Sequence, residues 1–392
     1  MADSTSPLSA GRPAPGLTHS WDEALNKSFS IYLDLVRFTA ACLVYLWHSN
    51  QRAIVEANVP FSGYGHSAVV VFFVLSGFVI AYVVDTKETD VRRYAAGRLA
   101  RIYSVVVPTL AITLILDTVG RALAPTLYLF PFDHFALRLI ASLLMLNEVW
   151  FVSITAFSNA PYWSVAYECW YYVLFGLAMF TPSRWRWPLL LVLALALGPK
   201  VVLLAPIWLS GVWLYRWHWP TKLSLSAAGC LFVLSSAGIV AVHATDFLVI
   251  SASLFRSVAG EWLFTQLAYS KYFLGDYVLC LLVWCNFAGM RILAESVPQF
   301  FRWIERPVRA AAGLTFTLYL LHQPVLLFWA AVIRGDPARW ANWWAVTALT
   351  ALTIICVSAY TEQNRHVLKL AIEKWLSGWP SKKDILANAN RH

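Results

Sequence analysis

The chain has 392 residues, 59% of them hydrophobic and 13% charged, with a mean hydropathy of +0.60. A soluble globule carries about 45–50% apolar residues, so this is an integral membrane protein, and its apolar runs recur almost to the end as one polytopic domain. The net charge of +9 does not point to nucleic acid, because the basic residues fall mostly between apolar runs, where orientation by positive loops puts them.

Residues 1–27, rich in Ser, Pro and Ala, lack the long apolar core of a signal peptide and read as a disordered cytoplasmic tail. The first span follows at 31–48, IYLDLVRFTAACLVYLWH, and it contains Asp34, Arg37 and His48. A central arginine costs a spanning helix ~2.5–3.5 kcal/mol on insertion scales, so it must face protein, a partner or water. At about 100° and 1.5 Å per residue, Arg37 and His48 lie ~20° apart around the helix and ~16 Å apart along it. One face carries both, which predicts a polar path from the inner half of the membrane toward the far side. The plainer alternative is that Asp34 neutralises Arg37 one turn away while His48 sits among headgroups.

The second span, 67–84, has Ser76-Gly77 near its middle, a small pair of the kind that marks close helix packing. The loop 85–103 then holds Lys87, Arg92, Arg93, Arg98 and Arg101, more cations than orientation needs. On a helix Arg98 and Arg101 share a face suited to gripping a phosphate; resting on anionic lipid is the alternative. A third span is expected at 102–120. The run 134–152 is apolar enough to cross but would break the charge pattern, so it is expected at the outer face.

The next span, 162–181, opens with Trp163 and carries Tyr167, Glu168, Tyr171 and Tyr172. Rings at an interface are ordinary, but a carboxylate a turn or more into a span needs a polar partner, and His48 is placed at similar depth. The run 187–215 is interrupted at Gly198-Pro199-Lys200, which predicts two short helices. Further spans are predicted at 223–243, 272–290, 312–333 and 342–360. Within 312–333, His322 precedes Gln323-Pro324, and the proline frees a carbonyl one turn earlier. Glu305 with Arg306, and Glu362 with Arg365, read as cytoplasmic ion pairs, and 366–392 as a cytoplasmic tail.

The fold class is therefore all-α: a polytopic transmembrane bundle of about ten spans within 28–365. An even count puts both termini on one side, and 21 of the 30 lysines and arginines fall on that side against eight on the other, which makes it the cytoplasm. All six cysteines lie in apolar runs without a C-x-x-C pair, so neither a metal site nor a disulfide framework is indicated.

Five stretches occur in a fixed order: L-D-L-V-R-F-x-A-A leading to His48, V-F-F-V-L-S-G-F, Arg98-x-x-Arg101, Y-W-S-V-A-Y-E and L-Y-L-L-H-Q-P. This order resembles acyltransferase family 3, from about residue 31 to 365. The resemblance implies a bacterial inner-membrane O-acyltransferase that takes an acyl group, usually acetyl, from cytoplasmic acyl-CoA and has no bound cofactor. It also implies an acceptor hydroxyl on a cell-envelope or secreted polysaccharide, an exopolysaccharide or O-antigen, or on a lipid-linked saccharide, with membrane lipids around it.

Carried over by position, Arg37 and His48 match the family's functional Arg and His, Arg98 and Arg101 its basic pair, Ser76 and Gly77 its second-span motif, and Trp163 and Glu168 its Trp and Glu motif. On this reading His48 is the general base, with Glu168 and Arg37 as catalytic partners. Arg98, Arg101, Arg37, Ser76 and Gly77 hold acyl-CoA, while Trp163, Tyr167, Tyr171 and His322 hold the acceptor. The chain departs from the pattern at Cys169-Trp170, where the family often has a glutamine-aromatic pair, and at Asn364, where a proline often stands. An acyl-enzyme on Ser76 or Cys169 stays open, as do a macrolide or other small-molecule acceptor and a glucan succinyltransferase. Outside enzymes the rival is a proton-coupled transporter, against which the absence of an internal repeat argues.

Overall fold

A computed structural model describes residues 26–217, 222–362 and 364–377. Fifteen α-helices run through these residues in the order α1 Lys27–Ser49, α2 Gly65–Thr86, α3 Val91–Leu123, α4 Phe135–Leu143, α5 Tyr162–Phe180, α6 Ser183–Leu197, α7 Pro199–Arg216, α8 Leu225–Ala244, α9 Phe247–Ala259, α10 Glu261–Gln266, α11 Phe273–Ser296, α12 Pro298–Ala312, α13 Thr315–Ile333, α14 Trp340–Thr361 and α15 Arg365–Leu376. The β-structure described amounts to one isolated bridge, Ala156 with Asn159.

Seven of these helices are long and apolar enough to cross a membrane: α1, α2, α3, α8, α11, α13 and α14. The other three predicted spans form where expected but fall short of that measure. α6 has only 15 residues, α5 carries Glu168 among its tyrosines, and α7 has Lys200 and Arg216 at its ends. α4 has nine residues, ~13 Å of helix against a hydrocarbon layer of ~30 Å, and so is too short to cross as a helix.

Local chemistry sets the boundaries. Asn26 caps α1 by accepting the Ser28 amide at 2.7 Å. Asp90 accepts the amides of Arg92 and Arg93 at 3.0 and 3.1 Å, so the predicted basic loop turns helical at Val91 and α3 absorbs Arg98 and Arg101. Gly198, at φ +81°, ends α6, and Pro199 opens α7 at the position where its missing N–H costs nothing. Lys200 is fully buried and reaches Glu148 at 2.5 Å and Ser153 at 2.9 Å, which ties the irregular 144–161 stretch to α7.

The bundle is densest where α2 crosses α7 and α8 crosses α11. A Cβ on Gly77 would come within 1.9 Å of the Trp208 carbonyl, and one on Gly211 within 1.9 Å of the Val74 carbonyl. Each glycine thus makes room for the other helix's backbone, as the Ser76-Gly77 pair predicts.

The start of α1 and the end of α14 share one end of the bundle. Lys27 pairs with Glu305 of α12 at 2.7 Å, Arg309 of α12 pairs with Asp34, and the Thr317 amide of α13 donates to Glu362 at 2.7 Å. That end holds most of the arginines and is called the arginine end here; the other, with Ser49 and Gly65, is the histidine end. Of the predicted N-terminal tail, Asn26 and Lys27 belong to the cap and first turn of α1, and residues 1–25 lie outside the described residues. The predicted C-terminal tail begins inside a helix, α15, which packs on α3; residues 378–392 lie outside the described residues.

Candidate active site

Asp34 faces two guanidinium groups. Arg37, one turn on, is 3.1 Å from one carboxylate oxygen, and Arg309 takes the other while donating to Ser30 at 3.0 Å. On α3, Arg98 is 3.1 Å from both oxygens of Glu88, and the Arg101 guanidinium stands 5.9 Å from the centre of the Phe316 ring. On α5, Glu168 accepts from Ser76 at 2.5 Å and from the Tyr172 hydroxyl, and Trp208 donates its indole N–H to Ser76 at 3.1 Å.

These groups converge on a cavity of about 490 Å³ between α1, α2, α3, α5 and α13. Arg37, Arg98, Arg101, Arg309 and Arg365 line it, with Asp34, Glu168 and Glu362 as the acidic groups. Five cations against three carboxylates leave an excess of two, or one if Glu88 behind Arg98 is counted. In surroundings of low dielectric such an excess favours an anion. Val69, Phe72, Phe73, Val79 and Ile80 of α2 give the same cavity an apolar wall beside these charges.

At the histidine end stands a second group. His48 and His322 have ring centres 5.0 Å apart, and the Trp47 ring lies 5.5 Å from His48 on its other side. Pro324 leaves the Leu320 carbonyl without a helical donor, and the Asn159 side chain supplies one at 2.7 Å. His322 Nδ1 is 3.0 Å from the Leu318 carbonyl, which can only accept, so Nδ1 carries the proton and Nε2 is left as an acceptor.

A family model for the acyltransferase domain matches residues 30–362. The chain belongs to that acyltransferase family. Neither a curated protein nor a solved structure shows a match to it. Membership makes the chain an acyltransferase, and its apolar helices make it a multi-pass membrane protein.

In this acyltransferase Arg37, Ser76, Arg98, Arg101 and Glu168, which the sequence singles out from four separate stretches, line one cavity. Gly77 stands behind Ser76 in the crossing with α7 and acts through packing. His48 and His322 meet each other but do not line the cavity. The expected contact of Glu168 with His48 is not made, because Glu168 is engaged by Ser76 and Tyr172, whereas His48, in the last turn of α1, meets α13. Nor is the polar path along α1 continuous: Ala40, Ala41 and Val44, between Arg37 and His48, are packed.

Trp163, Tyr167 and Tyr171 are core residues of the acyltransferase. The Trp163 ring stacks on Tyr269 at 4.4 Å, Tyr167 bonds Ser270 at 3.0 Å, and Tyr171 donates to the Val201 carbonyl at 2.8 Å. Sequence reasoning passed over Arg309, Ser164 and Tyr319 and gave Tyr172 no role beyond an interfacial ring; all four line the cavity. A signal was present for Tyr319, which lies three residues before His322 and so on the same side of α13. Arg309 follows the buried Val308 in an amphipathic helix with several other basic residues, where nothing in the sequence sets it apart from an orienting charge.

Proposed function

We propose that this membrane acyltransferase moves an acyl group, acetyl in the simplest case, from acyl-CoA at the arginine end to a hydroxyl presented at the histidine end. The observation that carries this reading is the cavity itself: five arginines, an apolar wall along α2 and Glu168 around one space, in a chain matched almost throughout by the acyltransferase domain. Arg98, Arg101 and Arg365 suit the phosphates of the nucleotide, because guanidinium forks pair with phosphate oxygens in a fixed plane. The apolar walls suit the uncharged arm that bears the thioester. The arginine end is the cytoplasmic one, as the lysine and arginine bias requires, and the membrane is the bacterial inner membrane.

A sugar hydroxyl has a pKa far above 7 and attacks poorly until a base takes its proton as the bond forms. His48 is that base. The hydroxyl oxygen bonds to the acyl carbon, the carbon–sulfur bond breaks, and the proton taken by His48 passes to the departing thiolate, giving ester and free CoA. The acceptor is a cell-envelope or secreted polysaccharide, or its lipid-linked precursor. Two features at the histidine end support a hydroxyl-rich acceptor there: His322 Nε2, an acceptor without a partner, and the Trp47 ring, 41% exposed beside His48.

Radiolabel from acetyl-CoA is expected to appear on surface glycan in membrane vesicles, and His48→Ala is expected to lower that transfer by about 10²–10⁴-fold, the usual worth of a general base. CoA affinity should stay as it was. A His48→Ala enzyme with full transfer activity removes the proposed base, and label crossing the vesicle as free solute instead of joining glycan makes the protein a carrier.

A further inference from the structure

His322 and His48 do not line the donor cavity, but Tyr319, which meets His322, and its neighbour Ser164 do. The Tyr319 and Ser164 hydroxyls are 2.5 Å apart. Phe72 meets the Tyr319 ring edge to face, centroids 5.2 Å apart. The same ring also abuts His322, centroids 6.4 Å apart, and His322 stands against His48. One phenol ring therefore stands between the arginine-lined cavity and the histidine pair.

The backbones around that ring are tied. Asn159, just ahead of α5, holds the Leu320 carbonyl of α13, one residue beyond Tyr319. Helices clamped in this way resist parting, whereas a tyrosine turns about a side-chain bond between staggered positions and gives up the Ser164 hydroxyl contact and its edge-to-face packing on Phe72 and His322. Beyond the ring, His322 Nε2 is fully buried and without a hydrogen-bond partner, although its neighbour Nδ1 is satisfied. Buried polar atoms are nearly always paired, so an open acceptor at this depth marks the place of an arriving donor.

We propose that Tyr319, latched by Ser164, is the movable partition between the donor cavity and the histidine pair, and that turning it aside brings the acyl thioester to His48, while the acceptor hydroxyl donates to His322 Nε2. In its chemical part this rests on the acyl-donor reading above. Tyr319 is a positioning residue: it governs whether the cavity communicates with the histidine pair and exchanges no proton or acyl group.

The test reads passage directly. Gln323, next to His322, is replaced in Gln323→Cys, and an anionic methanethiosulfonate is added to vesicles from the arginine face, with modification at that position followed by peptide mass spectrometry so that the native cysteines do not interfere. The labelling rate scales with the open fraction, so adding Tyr319→Ala should raise it about tenfold or more, and adding Tyr319→Phe, which keeps the ring and loses the latch, severalfold. Equal rates in the three backgrounds overturn the partition. In the enzyme with its own glutamine at 323, Tyr319→Phe and Ser164→Ala should change kcat severalfold and leave CoA affinity within about twofold, a split that loss of fold does not produce. Loss of CoA affinity in step with kcat overturns it equally. Labelling needs neither donor nor acceptor, so an unaltered protein that fails to bind CoA counts against the acyl-donor reading, and ungated labelling counts against the partition.

Discussion

Among single residues, Arg98 and Arg101 bear most directly on donor binding, because both face the cavity mouth and they differ in how they are held. Arg98 is fixed by Glu88 and lies 5.6 Å from the Tyr172 ring centre, whereas Arg101 stands over Phe316. A hydrogen bond to a charged group is worth ~1.5–3 kcal/mol, about tenfold or more in affinity. Arg98→Ala with Arg101→Ala should therefore raise the KM for acyl-CoA by about 10²-fold, with a smaller effect on kcat, and initial rates over a range of acyl-CoA concentrations check it. An unchanged KM assigns the pair to orientation in the membrane. The identities of these residues were legible in the sequence because charge within an apolar chain stands out. Their partners were not. Glu168 and His48 were expected together on estimated depth, but depth along separate helices does not fix which helix lies between them, and here α13 takes the place beside His48.

At the scale of elements, the crossing of α2 and α7 decides whether Ser76 and Glu168 meet at all. Trp208 of α7 donates to Ser76, and the reciprocal clefts at Gly77 and Gly211 let the backbones come close enough for it. Leu in place of Gly77 would have to displace the Trp208 carbonyl, and overpacking of this kind costs ~1–3 kcal/mol. Gly77→Leu should thus lower the thermal midpoint in detergent and weaken CoA binding as well; thermal unfolding of the variant beside the unaltered protein is the measurement. A Gly77→Leu protein with native stability shows that the crossing tolerates separation. Helix existence was readable from apolar runs of spanning length, and the break at Gly198-Pro199 from backbone chemistry. α12 and α15 were not predicted, because their apolar positions are diluted by Arg302, Arg306, Lys369 and Lys374 and the runs fall below spanning length. Yet α12 carries Arg309 and α15 carries Arg365 to the cavity, so these amphipathic helices complete its mouth.

For the whole molecule, the proposed orientation comes from placing the charges on the fold. The fold puts the first turn of α1, the end of α14 and the cavity mouth at one end, through the contacts of Lys27 with Glu305, Arg309 with Asp34 and Glu362 with Thr317. The sequence puts 21 of 30 lysines and arginines on the side of the termini, which the positive-inside rule makes cytoplasmic. Acyl-CoA is a cytoplasmic metabolite, so a donor mouth at that same end is what the proposed reaction requires. A green fluorescent protein fused to either end of the chain should fluoresce, and alkaline phosphatase at either end should be inactive, whereas phosphatase placed in the 51–61 turn at the histidine end should be active. Active phosphatase at the two ends of the chain would put the arginine mouth outside the cell, away from acyl-CoA, and the cavity would then have to take a different anion.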